Sequence, residues 1–379
     1  MDLSLNEEQR MIAESAAVFL QEKSNSAQLR KVIDAGDGMD RALWQEAVEL
    51  GWCGVALPEN AGGMGLGWRE LTLLQEQMGY HLACLPFFDA VVALTPLWQH
   101  LSRTGPGLVV VERLVQSGQV CVLGMTVRGE LPAAATVTVE GDALVLNGLW
   151  NQVGSGTHAD VFLLPATLPF GSLGLLEVSA KTEGLSVQAL PTVDATRSSA
   201  HVTAVNVRLK GSAVLVHGDA LKKLWEQTRN LAAIGLAAEQ VGVAERALDL
   251  AVAYTQERQQ FGKPVGSFQG VKHRAAQMLV AVETARSAVY AAAFVADTAG
   301  ESTDLALFAA QARTEATEAA LFCTRESLQL HGGVGFTWEF DPHLFLRRAQ
   351  SASQRLGTVE QWREVVARQL LDEPEQEHA

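Results

Sequence analysis

A chain of 379 residues with 48% hydrophobic and only 19% charged side chains can bury two or three cores, which excludes global disorder. The formal net charge of −14 excludes a nucleic-acid binder, whose affinity rests on cationic contacts to phosphate. The four cysteines (Cys53, Cys84, Cys121, Cys323) lie far apart and lack ligand spacing, so buried thiols are expected rather than disulfides or a metal site.

Residues 1–118 read as helices broken by one glycine-rich loop. Helices are expected from Asn6 to Glu22, where Met11, Ile12, Ala16, Val18 and Phe19 make an apolar stripe, and from Asp40 to Leu50. The segment "GWCGVALPENAGGMGLGWRE" is a loop, after which helix resumes over Glu70–Tyr80 and again over Val91–Ser102. The first residues, MDLSLNEEQR, carry neither a basic flank nor an apolar run, so no secretory or transit segment is expected and a cytoplasmic protein is. No uninterrupted apolar run reaches the roughly 18 residues of a membrane span.

Residues 119–217 change character. "VTVEGDALVLNG", "ADVFLLPA", "LSVQAL" and "HVTAVNVRLKG" set β-branched residues between Gly, Asp and Pro turns, the pattern of a small β-domain. From 218 to 379 long helices return: Asp219–Gln259, with Gly235 and Gly242 as weak points, then about Phe268–Ala299 and Thr303–His331. A fourth begins after "RLGT" and stops before Pro374, and the tail EPEQEHA is expected to fray. Four helices with short connections imply an antiparallel bundle. The fold class is therefore α+β and multidomain: helical, then β-sandwich, then four-helix bundle.

Two segments carry candidate chemistry. In "YTQERQQFGKPVGSFQG" an Arg and a Phe at i and i+3 precede a Gly-Lys-Pro turn, which is either a capped helix end or a binding turn. In "LQLHGGVGFTWEFDPHLFLRR" the Gly332-Gly333-x-Gly335 run is a normal helix stop that also leaves backbone open to a ligand. It follows a helix and lacks the GxGxxG spacing, so it is no Rossmann fingerprint. His273, His331 and His343 form no metal-ligand set.

With "NEEQRMIAESAAVFL" and "LWQEAVELGWCGVALPENAGGMGLGWRE", these segments make the chain resemble the flavin-dependent acyl-CoA dehydrogenase family along nearly its whole length. The form "HGGVGFTWEFDPHLFLRRA" is most similar to bacterial branches acting on bulky acyl-CoA thioesters, steroid side chains among them. The resemblance implies α,β-desaturation of an acyl-CoA substrate: a glutamate takes the α-proton while the β-hydrogen leaves as hydride to FAD, with electron-transfer flavoprotein as the next acceptor. A positioned base of this kind is worth ~10² to 10⁴ in rate.

The resemblance also assigns residues. In this family one subunit's bundle helps bind FAD held mainly by its neighbour; Arg258 matches the pyrophosphate contact, Phe261 and Gln269 the adjacent aromatic and amide, and Gln329, Gly332 and Gly333 the adenosine side. Thr358 is a further cofactor-side position, and Arg229 lies toward the substrate channel. The stretch "LGMTVRGELPAAATV" lacks the family's Thr-Glu-Pro-x-x-Gly-Ser-Asp pattern, and the flavin-packing tryptophan falls on Gln152, with Trp150 two residues early.

An ungapped count from Gly332-Gly333 places the catalytic base on Leu356. The alternative base position of some members is Thr228, and Glu226 is two residues away, about 200° around a helix. No catalytic carboxylate is therefore expected at either place. The resemblance then implies a base-lacking subunit that completes the FAD site of a glutamate-bearing homologous partner in a heterotetramer. The alternatives are an active homo-oligomer with a base relocated to Glu339, Glu360 or a loop acid, and a binding member without redox function.

Overall fold

The computed structural model describes residues 3–131, 135–298 and 303–371. Helix α1 (Glu7–Lys23) starts where Asn6 and Gln9 exchange side-chain and backbone hydrogen bonds at 2.8 and 3.1 Å, with Glu7 and Glu8 in its first turn. Then come α2 (Ser26–Ala35), α3 (Arg41–Glu49), α4 (Trp68–Tyr80), α5 (Thr95–Leu101) and α6 (Gly105–Gln116). The helix expected over Val91–Ser102 is a π-turn at Phe88–Val92 followed by α5, while α2 and α6 were not anticipated.

The β region holds β1 (Cys121–Leu123), β2 (Thr136–Glu140), β3 (Ala143–Gly154), β4 (Val161–Thr167), β5 (Leu173–Ser179), β6 (Leu185–Ala189), β7 (Ser199–Leu209) and β8 (Val214–His217). They form one mixed sheet in the order β6-β7-β3-β2-β4-β5-β8, with β1 parallel to β4. Strands β3 and β7 pair antiparallel, with irregularities between Leu146 and Gly148 and between Trp150 and Val153. The helical remainder is α7 (Asp219–Glu257), a short hairpin of β9 (Gln259–Gln260) and β10 (Lys263–Pro264), α8 (Gln269–Thr298), α9 (Thr303–His331), α10 (Pro342–Ser353) and α11 (Val359–Leu371). The bundle's fourth helix, α11, has only 13 residues, and α10 is an additional helix packed on α9. The tail from Asp372 onward, including EPEQEHA, lies outside the described residues.

Packing groups these elements differently from chain order. Among the described residues, those within Gln28–Gly67 and Cys84–Ala232 form one compact unit, and those within Met1–Ala27, Trp68–Ala83 and Ala233–Ala379 form another. The first unit buries Trp98 and Leu101 of α5 with Leu163 of β4, Leu175 of β5 and Trp225 of α7 in one core. In the second, α4 and α7 approach backbone to backbone. A Cβ on Gly79 would lie 2.0 Å from the Glu239 carbonyl oxygen, and one on Gly242 would lie 1.9 Å from that of Glu76. Gly242, a weak point for helix propensity, is therefore the residue that lets the helices touch.

Helix α8 is long and apolar enough, by length and composition alone, to cross a membrane; here it packs against α4 and α9. Among the described residues, no group of three or more His, Cys, Asp or Glu is placed to hold a metal ion.

Candidate active site

The turn expected to carry the base joins α10 to α11, and it is built with care. Leu356 has φ +61 and is 3% exposed, and Gly357 follows at φ +107. A leucine in the left-handed region costs roughly 1–2 kcal/mol, so the surroundings must impose the conformation. Arg313 of α9 does much of this. Its Nη2 donates to the carbonyl oxygens of Ala352 at 2.6 Å and Arg355 at 3.0 Å, while Nη1 donates to Gln240 and Thr317. Burial pulls the Arg313 guanidinium down to about 9, opposed by the nearby charge of Glu239. Glu239 is itself fully buried and accepts from Gln75 at 2.7 Å, with Arg348 at 3.5 Å.

Thr358 ends the turn as a cap for α11: its N–H donates to Gln361 Oε1 at 2.9 Å, and its Oγ1 accepts from Gln361 N–H at 3.4 Å. The turn thus presents a buried aliphatic side chain and no proton acceptor at position 356. The relocated candidates Glu339 and Glu360 are exposed, and hydrogen bonds from its own N–H and from Thr358 hold Glu360 below the usual carboxylate range. That makes Glu360 a weaker base than an ordinary glutamate.

The residues matched to FAD lie at the ends of α7 and α9 and the start of α8, and all are exposed. Arg258 follows α7, and its carbonyl oxygen accepts from Val265 N–H at 2.8 Å across the hairpin. At the hairpin tip Phe261 (φ +52) and Gly262 (φ +79) are both left-handed, and Phe261 is 91% exposed. An aromatic side chain held at positive φ and turned to solvent is an expensive choice for a plain turn. Its ring meets that of Phe268 edge-on at 6.2 Å, and Lys263 Nζ sits 4.4 Å from the Phe268 centroid. Gln269 opens α8.

At the other end Gln329 lies in the last turn of α9, and Gly332 (φ +63) stops the helix. No atom lies within 4 Å of where a Cβ would stand on Gly332 or Gly333, so their backbone is open to a ligand. An exposed guanidinium and bare glycine backbone suit the pyrophosphate and ribose of a dinucleotide.

The cofactor-holding half expected of the β region fits less well. Trp150 is 1% exposed, and its Nε1 donates to the Pro165 carbonyl oxygen at 3.0 Å, so its ring belongs to the core. Gln152 is exposed at φ +56, inside the irregularity between β3 and β7. Neither offers an aromatic face to a flavin. Of "LGMTVRGELPAAATV", residues 132–134 lie outside the described residues.

On the first turns of α7, Thr228 is 3% exposed and Glu226 is exposed, so the two do point apart. Burial lowers the Arg229 guanidinium, against the charges of Glu130 and Glu226. Sequence reading missed Arg313. Its signal was an Arg and a Thr four residues apart, Arg313 and Thr317, on an otherwise apolar face of an alanine-rich helix.

Residues 6–104 match the N-terminal domain of acyl-CoA dehydrogenases, and residues 224–371 match their C-terminal domain. The acyl-CoA dehydrogenase IpdE2 of Mycobacterium tuberculosis is 30% identical over 96% of this chain and 96% of its own. Among solved structures, the ChsE4-ChsE5 complex from Mycobacterium tuberculosis superposes with a TM-score of 0.87, at 26% identity, over 99% of this chain and 100% of that one. A steroid acyl-CoA dehydrogenase variant, Tcur3481-Tcur3483, gives 0.84 at 29% identity, covering 97% and 99%. Matched at both ends and over nearly its full length, the chain belongs to the acyl-CoA dehydrogenase family, whose members bind FAD.

Proposed function

We propose that this chain is the base-lacking subunit of a heteromeric acyl-CoA dehydrogenase. It completes, through Arg258, Phe261, Gln269, Gln329, Gly332 and Gly333, an FAD site held mainly by a homologous partner that carries the glutamate. One observation carries the reading. The turn at 353–358 keeps its strained geometry, held by Arg313, yet presents buried Leu356 in place of a carboxylate. The residues facing a partner's cofactor stay exposed, whereas Trp150 and Gln152 offer nothing to a flavin of the chain's own. A two-protein neighbour, ChsE4-ChsE5, and the steroid enzyme neighbour support a heteromeric assembly and a steroid-type acyl-CoA substrate. Domains at 1–118, 119–217 and 218–379, Arg229 toward the substrate channel, electron-transfer flavoprotein as acceptor and a cytoplasmic location complete the proposal.

FAD, when bound, supplies the hydride acceptor. This chain's own part is to bind and orient it: Arg258 neutralises phosphate charge, and the glycine backbone admits the adenosine side. The experiment is expression of the chain alone and together with a glutamate-bearing homologue, followed by flavin absorbance and dye reduction with acyl-CoA thioesters. Flavin and turnover are expected only from the pair. Stoichiometric FAD and turnover from the lone chain would sink the proposal.

A further inference from the structure

The ends of α7 and α9 carry separate groups of cofactor-facing residues, and a three-ring cluster joins them. Tyr254 of α7 stacks on His331 of α9, with ring centroids 4.5 Å apart and planes inclined by 21°. Phe340, from the loop beyond α9, closes the edge of both rings, at 6.0 Å from Tyr254 and 6.2 Å from His331. His331 is 5% exposed, and its Nδ1 lies 2.7 Å from the Ser327 carbonyl oxygen. A carbonyl only accepts, so Nδ1 carries the proton and the ring is fixed in rotation.

The position of the cluster is informative. Tyr254 lies one helical turn before Arg258, whose N–H donates to the Tyr254 carbonyl oxygen at 2.9 Å. His331 is the residue directly before Gly332. Beyond the cluster both chain segments run to solvent: the hairpin with Phe261 on one side, and Gly332 and Gly333 on the other. The cluster, with His331 buried and Tyr254 half-buried, is thus the last packed tie before two exposed turns.

We infer that Tyr254, His331 and Phe340 are positioning residues that hold the Arg258 turn and the Gly332-Gly333 turn at the spacing a single FAD requires. The inference rests on the proposed trans FAD site. A dinucleotide spans both turns only if their separation is set in advance; otherwise binding must supply the ordering. A stacked aromatic pair supplies this stiffness with few rotatable bonds.

The test uses the assembly formed with the glutamate-bearing homologue, stripped of flavin and titrated with FAD alone by flavin fluorescence. The thermal midpoint of the apo assembly is measured alongside. Tyr254→Leu is expected to weaken FAD binding about fivefold with the apo midpoint unchanged. Tyr254→Phe, which keeps the ring, restores wild-type affinity; failure of that rescue assigns the effect to the hydroxyl and overturns the inference. Should Tyr254→Leu fail to fold, Phe340→Ala at the exposed edge decides: about twofold weaker binding supports the tie, and wild-type affinity refutes it. Arg258→Ala separates the two levels. If it weakens FAD binding while the ring variants do not, only the positioning role falls. If it also leaves binding unchanged, the trans FAD site falls, and this inference with it.

Discussion

Two turns of the helical unit share a backbone conformation and differ in everything around it. Each ends a helix on α9 or beside it, and each passes through the left-handed region, Gly332 at φ +63 and Leu356 at φ +61. The first uses glycine, is exposed and leaves open space where a side chain would stand. The second uses leucine, buries it and fastens the preceding carbonyls to a buried arginine. Glycine at an open left-handed position keeps backbone available to a ligand. Leucine at a clamped one fills the core while the arginine holds the turn's shape. The turn is also the joint between α10 and α11, so its shape is a requirement of the fold whatever side chain stands at position 356.

The strongest way to break the contrast is at the clamp. Arg313→Met removes the guanidinium that donates to the carbonyls of Ala352 and Arg355 and to the side chain of Gln240 in a dry core. It is expected to cost about 3–5 kcal/mol in denaturant unfolding. Loss of under 1 kcal/mol would mean that the turn holds itself.

Next comes the leucine. Leu356→Glu puts a carboxylate at a position 3% exposed and is expected to cost about 3 kcal/mol, with the new carboxyl titrating above its ordinary range. The lone variant is expected to remain inactive in dye reduction with acyl-CoA, because Gln152 and buried Trp150 still offer no flavin face. Activity in the lone variant would show that only the base was missing.

Acid separates the two turns by the pH window in which their groups titrate. Burial lowers the imidazole pKa of His331 below the ordinary 6.5, so the neutral ring is the form the fold prefers. A depressed folded pKa contributes stability that is present above 6.5 and lost as pH falls through the lower value. The Arg313 clamp, with its guanidinium at about 9, keeps its charge throughout that window. Amide protection near Gly332, taken relative to the intrinsic exchange rate at each pH, is therefore expected to fall on acidification before protection near Leu356 does. The reverse order would place the pH-sensitive contact elsewhere.

How much of this was legible in the sequence follows from range. Helix α1 was readable because Asn6, Gln9 and the first-turn acids act within one turn. The turn at Gly357 was readable because a glycine followed by a capping threonine is a local helix-start signal. Strand β5, "LGLLEVS", was missed because its near-continuous burial shows no alternation. Helix α10 was passed over although Pro342 at its first turn is a start signal. Arg313 was illegible for a different reason. Its other acceptors lie at Gln240, Ala352 and Arg355, remote along the chain, and the local spacing to Thr317 does not by itself announce a buried arginine. Trp150 shows the same limit: its partner, the Pro165 carbonyl oxygen, comes from β4, beyond β2 in the sheet order.

The smallest expected effect lies at the exposed turn, and it is the most discriminating. Gly332→Ala meets no neighbour within 4 Å, so its only structural cost is the left-handed backbone, about 1 kcal/mol. If that turn serves only to stop α9, the variant loses this much stability and nothing else. If its backbone admits the adenosine side of a partner's FAD, the added methyl group also weakens flavin retention in the assembled protein, beyond what the stability loss accounts for. Flavin fluorescence and thermal unfolding of the same sample read the two quantities separately. A stability loss with unchanged flavin affinity would return Gly332 to the role of a helix stop.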